Sequence, residues 1–286
     1  MGALYRRDEV SPTWHSEPPE MPPVGVLGWL RAVLRGAVLG LVLIVGLLVL
    51  LLIRFVEKPV HGVYRPWTPW ITQAVCRAAF VILGLTHRTV GTRMAEPGAV
   101  VANHSSWLDI FALNARKRVY FVSKSEVAGW PGIGWLAKAT GTVFIERVAR
   151  AAHAQRDLFQ ERLLAGHKLL FFPEGTSSDG RRVLPFKSTL FEAFFAPELR
   201  GILWVQPVSV VYHAPPGADP RFYGWWGDMA MGPHLLQVLA AAPQGSVEVI
   251  YHAPMRVADF EGRKGLAQAC EAAVRRGFDA RLDPPG

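Results

Sequence analysis

His104 and Asp109 are the residues whose types and spacing most directly suggest chemistry. They stand in Asn103-His104-Ser105-Ser106-Trp107-Leu108-Asp109, directly after the apolar run Ala99-Val100-Val101-Ala102. An imidazole can take a proton near neutral pH. A carboxylate on its other nitrogen fixes the tautomer and stabilises the imidazolium. The pair could therefore act as a general base on a hydroxyl. On a regular helix five residues turn about 500°, so the functional reading needs His104 just before the helix and Asp109 in its first turn. The spacing also has a purely structural reading, because Ser106 and Asp109 are three apart, as in a capping box.

Two further segments carry candidate site residues. Gly141-Thr142-Val143-Phe144-Ile145-Glu146-Arg147 reads as a strand ending in a charged pair. That pair is either a surface Glu–Arg or a guanidinium that reaches an anionic ligand group. Phe171-Phe172-Pro173-Glu174-Gly175-Thr176-Ser177-Ser178-Asp179-Gly180 reads as a strand that stops at a proline. The carboxylate, glycine and hydroxyl residues after it can present N–H and O–H groups to a ligand, although an ordinary turn uses the same residue types.

Other chemistries are excluded. Gly132-Ile133-Gly134-Trp135-Leu136-Ala137 matches G-x-G-x-x-A but follows Trp130-Pro131 rather than a clear strand, which argues against dinucleotide binding. There is no G-x-S-x-G, hence no nucleophile elbow, and no P-loop. Two cysteines, Cys76 and Cys270, are too few for a disulfide scaffold or a Cys-based zinc site and suggest a reducing compartment. No metal ligand set is expected.

The elements that must position these residues alternate. Short strands are expected at 99–102, 119–122, 142–145, 168–172, 203–205, 208–212 and 247–251. Helices are expected at 106–115, 151–165, 187–196 and 264–276. This alternation predicts an α/β domain.

Upstream the pattern is different. Gly36 to Ile53 is a run of eighteen residues without a charge, about 27 Å as a helix, close to the thickness of a bilayer core. No cleavage site follows it, so it reads as an anchor rather than a signal peptide. Trp67 to Leu85 contains Gln73 and Arg77 and reads as a helix lying in the interface; the two segments could also form a shallow hairpin. Residues 54–147 carry twelve basic and five acidic groups, suiting anionic lipid or an acidic partner. The expected division is a mobile leader at 1–30, membrane-anchoring helices at 31–90 and the α/β domain at 91–286.

Taken in order, these segments resemble the glycerolipid acyltransferase family, which includes bacterial lysophosphatidic acid acyltransferases. The resemblance covers about residues 85–215 and the N-terminal membrane element. Asn103-His104 through Asp109 resembles the N-H-x4-D block. Lys124 through Arg147, with Phe144-Ile145-Glu146-Arg147, resembles the acceptor-binding block. Phe172-Pro173-Glu174-Gly175-Thr176 resembles the F-P-E-G-T block, and Val205-Gln206-Pro207-Val208 the hydrophobic-Pro block. The resemblance implies a mixed sheet flanked by helices behind the N-terminal helix or hairpin. It also implies transfer of an acyl group from a thioester, on acyl carrier protein or coenzyme A, to a lipid hydroxyl, with no bound cofactor. His104 would be the base and Asp109 its orienter. Glu174, Gly175 and Thr176 would shape the acceptor site, and Arg147 would meet an anionic group.

One departure steers the acceptor. The common pattern continues with Arg-Ser after E-G-T, whereas here Ser177-Ser178-Asp179-Gly180 follows. A guanidinium fork suits a phosphate monoester. The variant, with Phe222-Tyr223-Gly224-Trp225-Trp226-Gly227-Asp228-Met229 downstream, is similar to bacterial lyso-ornithine lipid acyltransferases. The first expectation is therefore lyso-ornithine lipid, with lysophosphatidic acid as the alternative, since Arg181, Arg182 and Lys187 could still supply charge to a phosphate. The expected location is the bacterial inner membrane, with the catalytic domain facing the cytoplasm. A non-catalytic lipid-binding protein is the competing class. A nucleic-acid partner is not expected, because no binding motif accompanies the basic charge.

Overall fold

The computed structural model describes Trp14, residues 16–145 and residues 152–282. Two helices come first, α1 at Val26–His61 and α2 at Thr68–Leu83. The strands are β1 Thr86–Val90, β2 Gly98–Ala102, β3 Tyr120–Lys124, β4 Val143–Ile145, β5 Leu169–Phe171, β6 Trp204–His213, β7 Ser246–Tyr251 and β8 Met255–Arg256. Between and after them run α3 Asp109–Asn114, α4 Ile133–Thr140, α5 Ala152–Leu164, α6 Pro197–Arg200, α7 Met231–Ala240 and α8 Arg263–Leu282. Ser188–Phe195, expected as a helix, is 3₁₀.

The strands form one mixed sheet in the order β1-β7-β6-β2-β5-β3-β4, with β8 also on β6. Only the pairs of β6 with β7 and β8 are antiparallel. Alternation along each central strand feeds two cores. Val100, Leu170, Val208 and Val210 face α2, α3 and α7, while Val101, Leu169, Val205 and Val211 face α5, α8 and the Ser188–Phe195 segment. Covering both faces is what a largely parallel sheet needs.

Pro207 does not divide two strands, as the sequence suggested, but lies inside β6. It sits where the neighbouring partner changes. β8 pairs with Trp204 and Val205, and β7 begins at Val208. A residue without an N–H interrupts neither ladder there.

α1 is longer than the expected run, 36 residues or about 54 Å. By length and apolarity it could cross a membrane. Both of its ends, however, are tied to the rest of the chain. Near its start the Arg31 guanidinium donates to Ala240 O (3.0 Å), and Arg35 donates to Leu239 O (2.9 Å) and Ala241 O (2.7 Å). These are the orphan carbonyls of the α7 C-terminus, where cations are favoured. Ala32 and Leu39 are buried in the core, and α2 packs beside α1 so closely that a Cβ at Gly46 would collide with Val75. The outward face, including Leu34, Leu41, Leu48 and Phe55, is exposed.

α2 is more than an interfacial helix. Its Cys76, Ala79, Phe80 and Leu83 are core residues, while Trp67 and Trp70 remain exposed at its start. Ahead of α1, the described residues from Ser16 on also make contacts with the rest of the chain. The helix begins at Val26, and the segment before it accepts hydrogen bonds from Trp226 at Ser16 O (3.0 Å), Arg221 at Glu17 O (3.0 Å) and Gln237 at Pro22 O (2.9 Å).

The turn between α1 and α2 is organised by Glu57, which is fully buried. Oε1 accepts from Trp67 N (2.8 Å) and Thr68 N (3.0 Å); Oε2 accepts from the Thr68 hydroxyl (2.8 Å) and Arg54 (3.1 Å). No local side chain caps α2, so this carboxylate from the previous helix satisfies its first N–H groups. Hydrogen bonds to charged groups contribute about 1.5–3 kcal/mol each. Glu57→Ala is expected to lower the thermal midpoint by roughly 5 °C or more, with Glu57→Gln in between. Scanning calorimetry of purified protein in detergent checks this, and an unchanged midpoint would mean the turn holds without the carboxylate.

Candidate active site

β2 is fully buried and runs out at Ala102, at the carboxyl end of a parallel strand, where ligands of open α/β sheets bind. Asn103 fixes the exit. Its amide donates to Val210 O (2.9 Å) and accepts from Val210 N (2.8 Å), extending the hold of β6 on the chain beyond the ladder. His104 to Leu108 are not helical, and α3 starts at Asp109. This is the arrangement the H-x4-D spacing required.

His104 Nδ1 lies 2.7 Å from Asp109 Oδ2. The same oxygen accepts from Ser105 N (2.8 Å) and Ser106 N (3.0 Å), and Oδ1 accepts from the Tyr212 hydroxyl (2.8 Å). Burial and the Asp109 charge push the Tyr212 hydroxyl well above its usual range, so it stays protonated and donates. Asp109 is fully buried. A carboxylate held by these donors accepts from Nδ1–H, which leaves Nε2 with its lone pair. Only half of the capping box forms: Asp109 accepts the Ser106 N–H, but Ser106 Oγ lies 3.3 Å from Leu108 N and no side chain caps α3. One carboxylate both holds the turn ahead of the helix and orients the imidazole.

Phe172 stacks on the imidazole at 4.0 Å between centroids and 11° between planes. Behind it, Glu174 Oε2 accepts from His104 N (3.2 Å) and Oε1 from Leu184 N (3.1 Å). Burial pushes the Glu174 carboxyl well above the usual carboxylate range, with these N–H groups pulling the other way, which limits a second negative charge beside Asp109. Ser178 N donates to His104 O (2.9 Å), joining the F-P-E-G-T turn to the base.

A cavity of about 590 Å³ opens at His104. Gly175, Thr176, Ser177 and Lys124 line it, together with apolar residues that include Val122, Ile145, Phe159, Leu190 and Phe194. Other expected residues are elsewhere. Phe144 does not line the cavity; its neighbour Ile145 does, as strand alternation requires. Arg182 is bound to Asp179 (3.1 Å) with its guanidinium 5.0 Å from the Trp14 ring, and Arg181 also lies outside the lining. Lys187 packs beside the turn, its Nζ 2.9 Å from where a Gly175 Cβ would stand. Pro207 is a strand residue opposite Val101. Arg147 lies outside the described residues.

Tyr212 and Trp225 escaped the sequence reading of the site. Tyr212 had a signal, since it continues the inward-facing series Val208, Val210, Tyr212, and a buried phenol needs a partner. Trp225 lines the cavity, and its backbone N–H donates to Ser105 O (2.8 Å). Neither cysteine is a credible nucleophile. Both are buried, which pushes the Cys76 thiol up to about 12 and raises that of Cys270 as well.

A family model described as Acyltransferase matches residues 86–211, from β1 into β6. The lyso-ornithine lipid O-acyltransferase of Rhodobacter capsulatus is 56% identical over 94% of this chain and 98% of its own length. The chain belongs to the acyltransferase family. The lyso-ornithine lipid O-acyltransferase of Brucella abortus is 40% identical over 68% of this chain and 76% of its own. The crystal structure of the 1-acyl-sn-glycerophosphate acyltransferase of Thermotoga maritima shares the fold, with a TM-score of 0.63 at 23% identity, covering 91% of this chain and 97% of the other. As an acyltransferase the chain takes an acyl donor as co-substrate. The mixed sheet with flanking helices, expected from the motifs, is the observed architecture.

If Asp109 orients the base as its contacts indicate, three substitutions should be graded. His104→Ala is expected to reduce acyl transfer by about 10²-fold or more, and Asp109→Asn by a similar order. Tyr212→Phe should lose about tenfold, because one carboxylate oxygen loses its donor while the imidazole keeps its partner. Single-turnover rates on folded, purified variants test the series. Near wild-type turnover by His104→Ala would remove the imidazole from the chemistry.

Proposed function

We propose that this acyltransferase transfers a fatty acyl group from a thioester to the hydroxyl of lyso-ornithine lipid. The supporting observation is the Asp109-held imidazole at the mouth of a largely apolar cavity, in a chain 56% identical to a lyso-ornithine lipid O-acyltransferase. In this reading His104 Nε2 takes the hydroxyl proton as the oxygen attacks the thioester carbonyl. A new C–O bond forms, the C–S bond breaks, and the imidazolium returns the proton to the departing thiolate. No acyl-enzyme is required. The apolar lining takes an acyl chain, and the Gly175-Thr176-Ser177 turn shapes the acceptor side. The donor is carried by acyl carrier protein or coenzyme A, whose thioesters are made in the cytoplasm, so the domain faces that side of the inner membrane. Arg147 remains a proposed contact for an anionic group of the acceptor.

The second reading, 1-acyl-glycerol-3-phosphate as the main acceptor, is weakened by Ser177. That position lines the cavity as a serine, and Arg181 and Arg182 lie outside the lining. The wild type is expected to acylate lyso-ornithine lipid well and the phosphate acceptor comparably or less. Ser177→Arg should shift the kcat/KM ratio about tenfold toward the phosphate acceptor, as a charge-assisted hydrogen bond would. Steady-state kinetics on both acceptors with one donor tests this; inactivity of the wild type on lyso-ornithine lipid would make the phosphate acceptor the leading reading.

Attachment follows from the ties at both ends of α1. A helix bound to α7 near its start and to the α2 turn near its end lies along the domain rather than projecting from it. We read α1 as lying in one leaflet with its exposed face in lipid. Labels placed singly at Leu34, Leu41 and Leu48 should then report similar depths in vesicles. A spanning helix would separate the outer two by about 20 Å along its axis.

A further inference from the structure

The Phe222–Met229 segment has no part in the proton transfer, yet it forms a wall of the reaction site. Trp225 and Gly227 line the cavity with His104 and Ser177. The segment is held from several sides. His234 Nε2 lies 3.2 Å from Phe222 O, and its Nδ1 accepts from Trp107 Nε1 at 3.0 Å. Burial lowers the His234 imidazole to about 4, so it stays neutral and keeps both contacts. Trp225 N donates to Ser105 O (2.8 Å), one residue from the base. Gly224 packs on the turn after Ser177 so tightly that a Cβ would stand 2.7 Å from Asp179 O. Trp226 donates to Ser16 O and packs on Trp14 at 5.9 Å between ring centroids.

What this rigid segment offers the cavity is specific. The Trp225 indole N–H is already given to Met229 O (2.9 Å), and the side chain is only partly buried. With that donor used, what Trp225 offers a ligand is its aromatic ring. An indole face carries negative potential and attracts ammonium groups within about 6 Å of its centroid. The fixed cations of the lining are Lys124, two strands from His104 across the sheet, and Arg263, which is paired with Glu192. Asp179 holds Arg182 outside the lining.

We propose that the indole face of Trp225 receives the ammonium group of the acceptor head group and so sets the acceptor preference of the site. The inference rests on the acceptor reading above, because the ornithine head group carries an amine as well as a carboxylate. A phosphate monoester has no group that an indole face would favour. Trp225 and Ser177 then act together, one attracting a cation and the other omitting a guanidinium that would repel it.

The test uses the full-length enzyme, one acyl thioester and two acceptors, lyso-ornithine lipid and its δ-N-acetyl derivative, which lacks the charge. Wild type is expected to prefer the charged acceptor about tenfold in kcat/KM, mostly through KM. Trp225→Leu should erase that preference by weakening the charged acceptor alone, and Trp225→Phe should keep part of it. Equal losses on both acceptors would show only an apolar wall and overturn the inference, as would a wild type indifferent to acetylation. Should Trp225→Leu not fold, Trp225→Phe decides, since its preference must fall below that of wild type. A wild type inactive on lyso-ornithine lipid would instead overturn the acceptor reading itself.

Discussion

Asp109 is a fully buried carboxylate, and burying a charge is costly unless its lone pairs meet donors. Three donors are local, the His104 ring and the backbone of Ser105 and Ser106, and the fourth, the Tyr212 hydroxyl, comes from β6. Satisfying them requires β2 and β6 to be neighbours, the chain to leave β2 without entering a helix, and α3 to begin at residue 109. The sheet order, the Asn103 clamp on Val210 and the position of the imidazole all meet that requirement. A rotated His104 would leave Asp109 short of a partner, so the fold itself orients the imidazole.

The same economy ties the membrane elements to the site. α1 and α2 cover one face of the sheet, contributing Leu39, Phe80 and Leu83 to the core that also holds Val100 and Val210. The segment before α1 runs to Trp226, beside the wall that Trp225 presents to the cavity. The apolar helix and this wall of the cavity are therefore joined by a short length of chain.

Much was legible locally. The H-x4-D spacing, the F-P-E-G-T turn, the eighteen-residue apolar run and the alternation of strands and helices each arise from neighbouring residues, and period and composition report on neighbours. Elements whose apolar signal was weak were missed. β1 is Thr86-His87-Arg88-Thr89-Val90, a polar edge strand exposed along most of its length, so no alternation marks it. β6 was divided at Pro207, because a proline interrupts a strand unless its partners leave a gap, and that gap is visible only once β7 and β8 are placed.

The sequence by itself determined the candidate pair His104 and Asp109, the class of fold and the presence of a long apolar segment, since these depend on residue type and short spacing. Tertiary structure alone decided which other residues reach the site. Tyr212 lies 103 positions from Asp109 yet donates to its carboxylate. Arg182, nominated by charge, is drawn to Asp179 instead, and Phe144 yields the cavity face to Ile145. Whether α1 projects or lies down was likewise beyond its composition. An apolar helix of that length suits either geometry, and composition does not show the packing of Ala32 and Leu39 or the hydrogen bonds of Arg31, Arg35 and Glu57 that tie α1 to other elements.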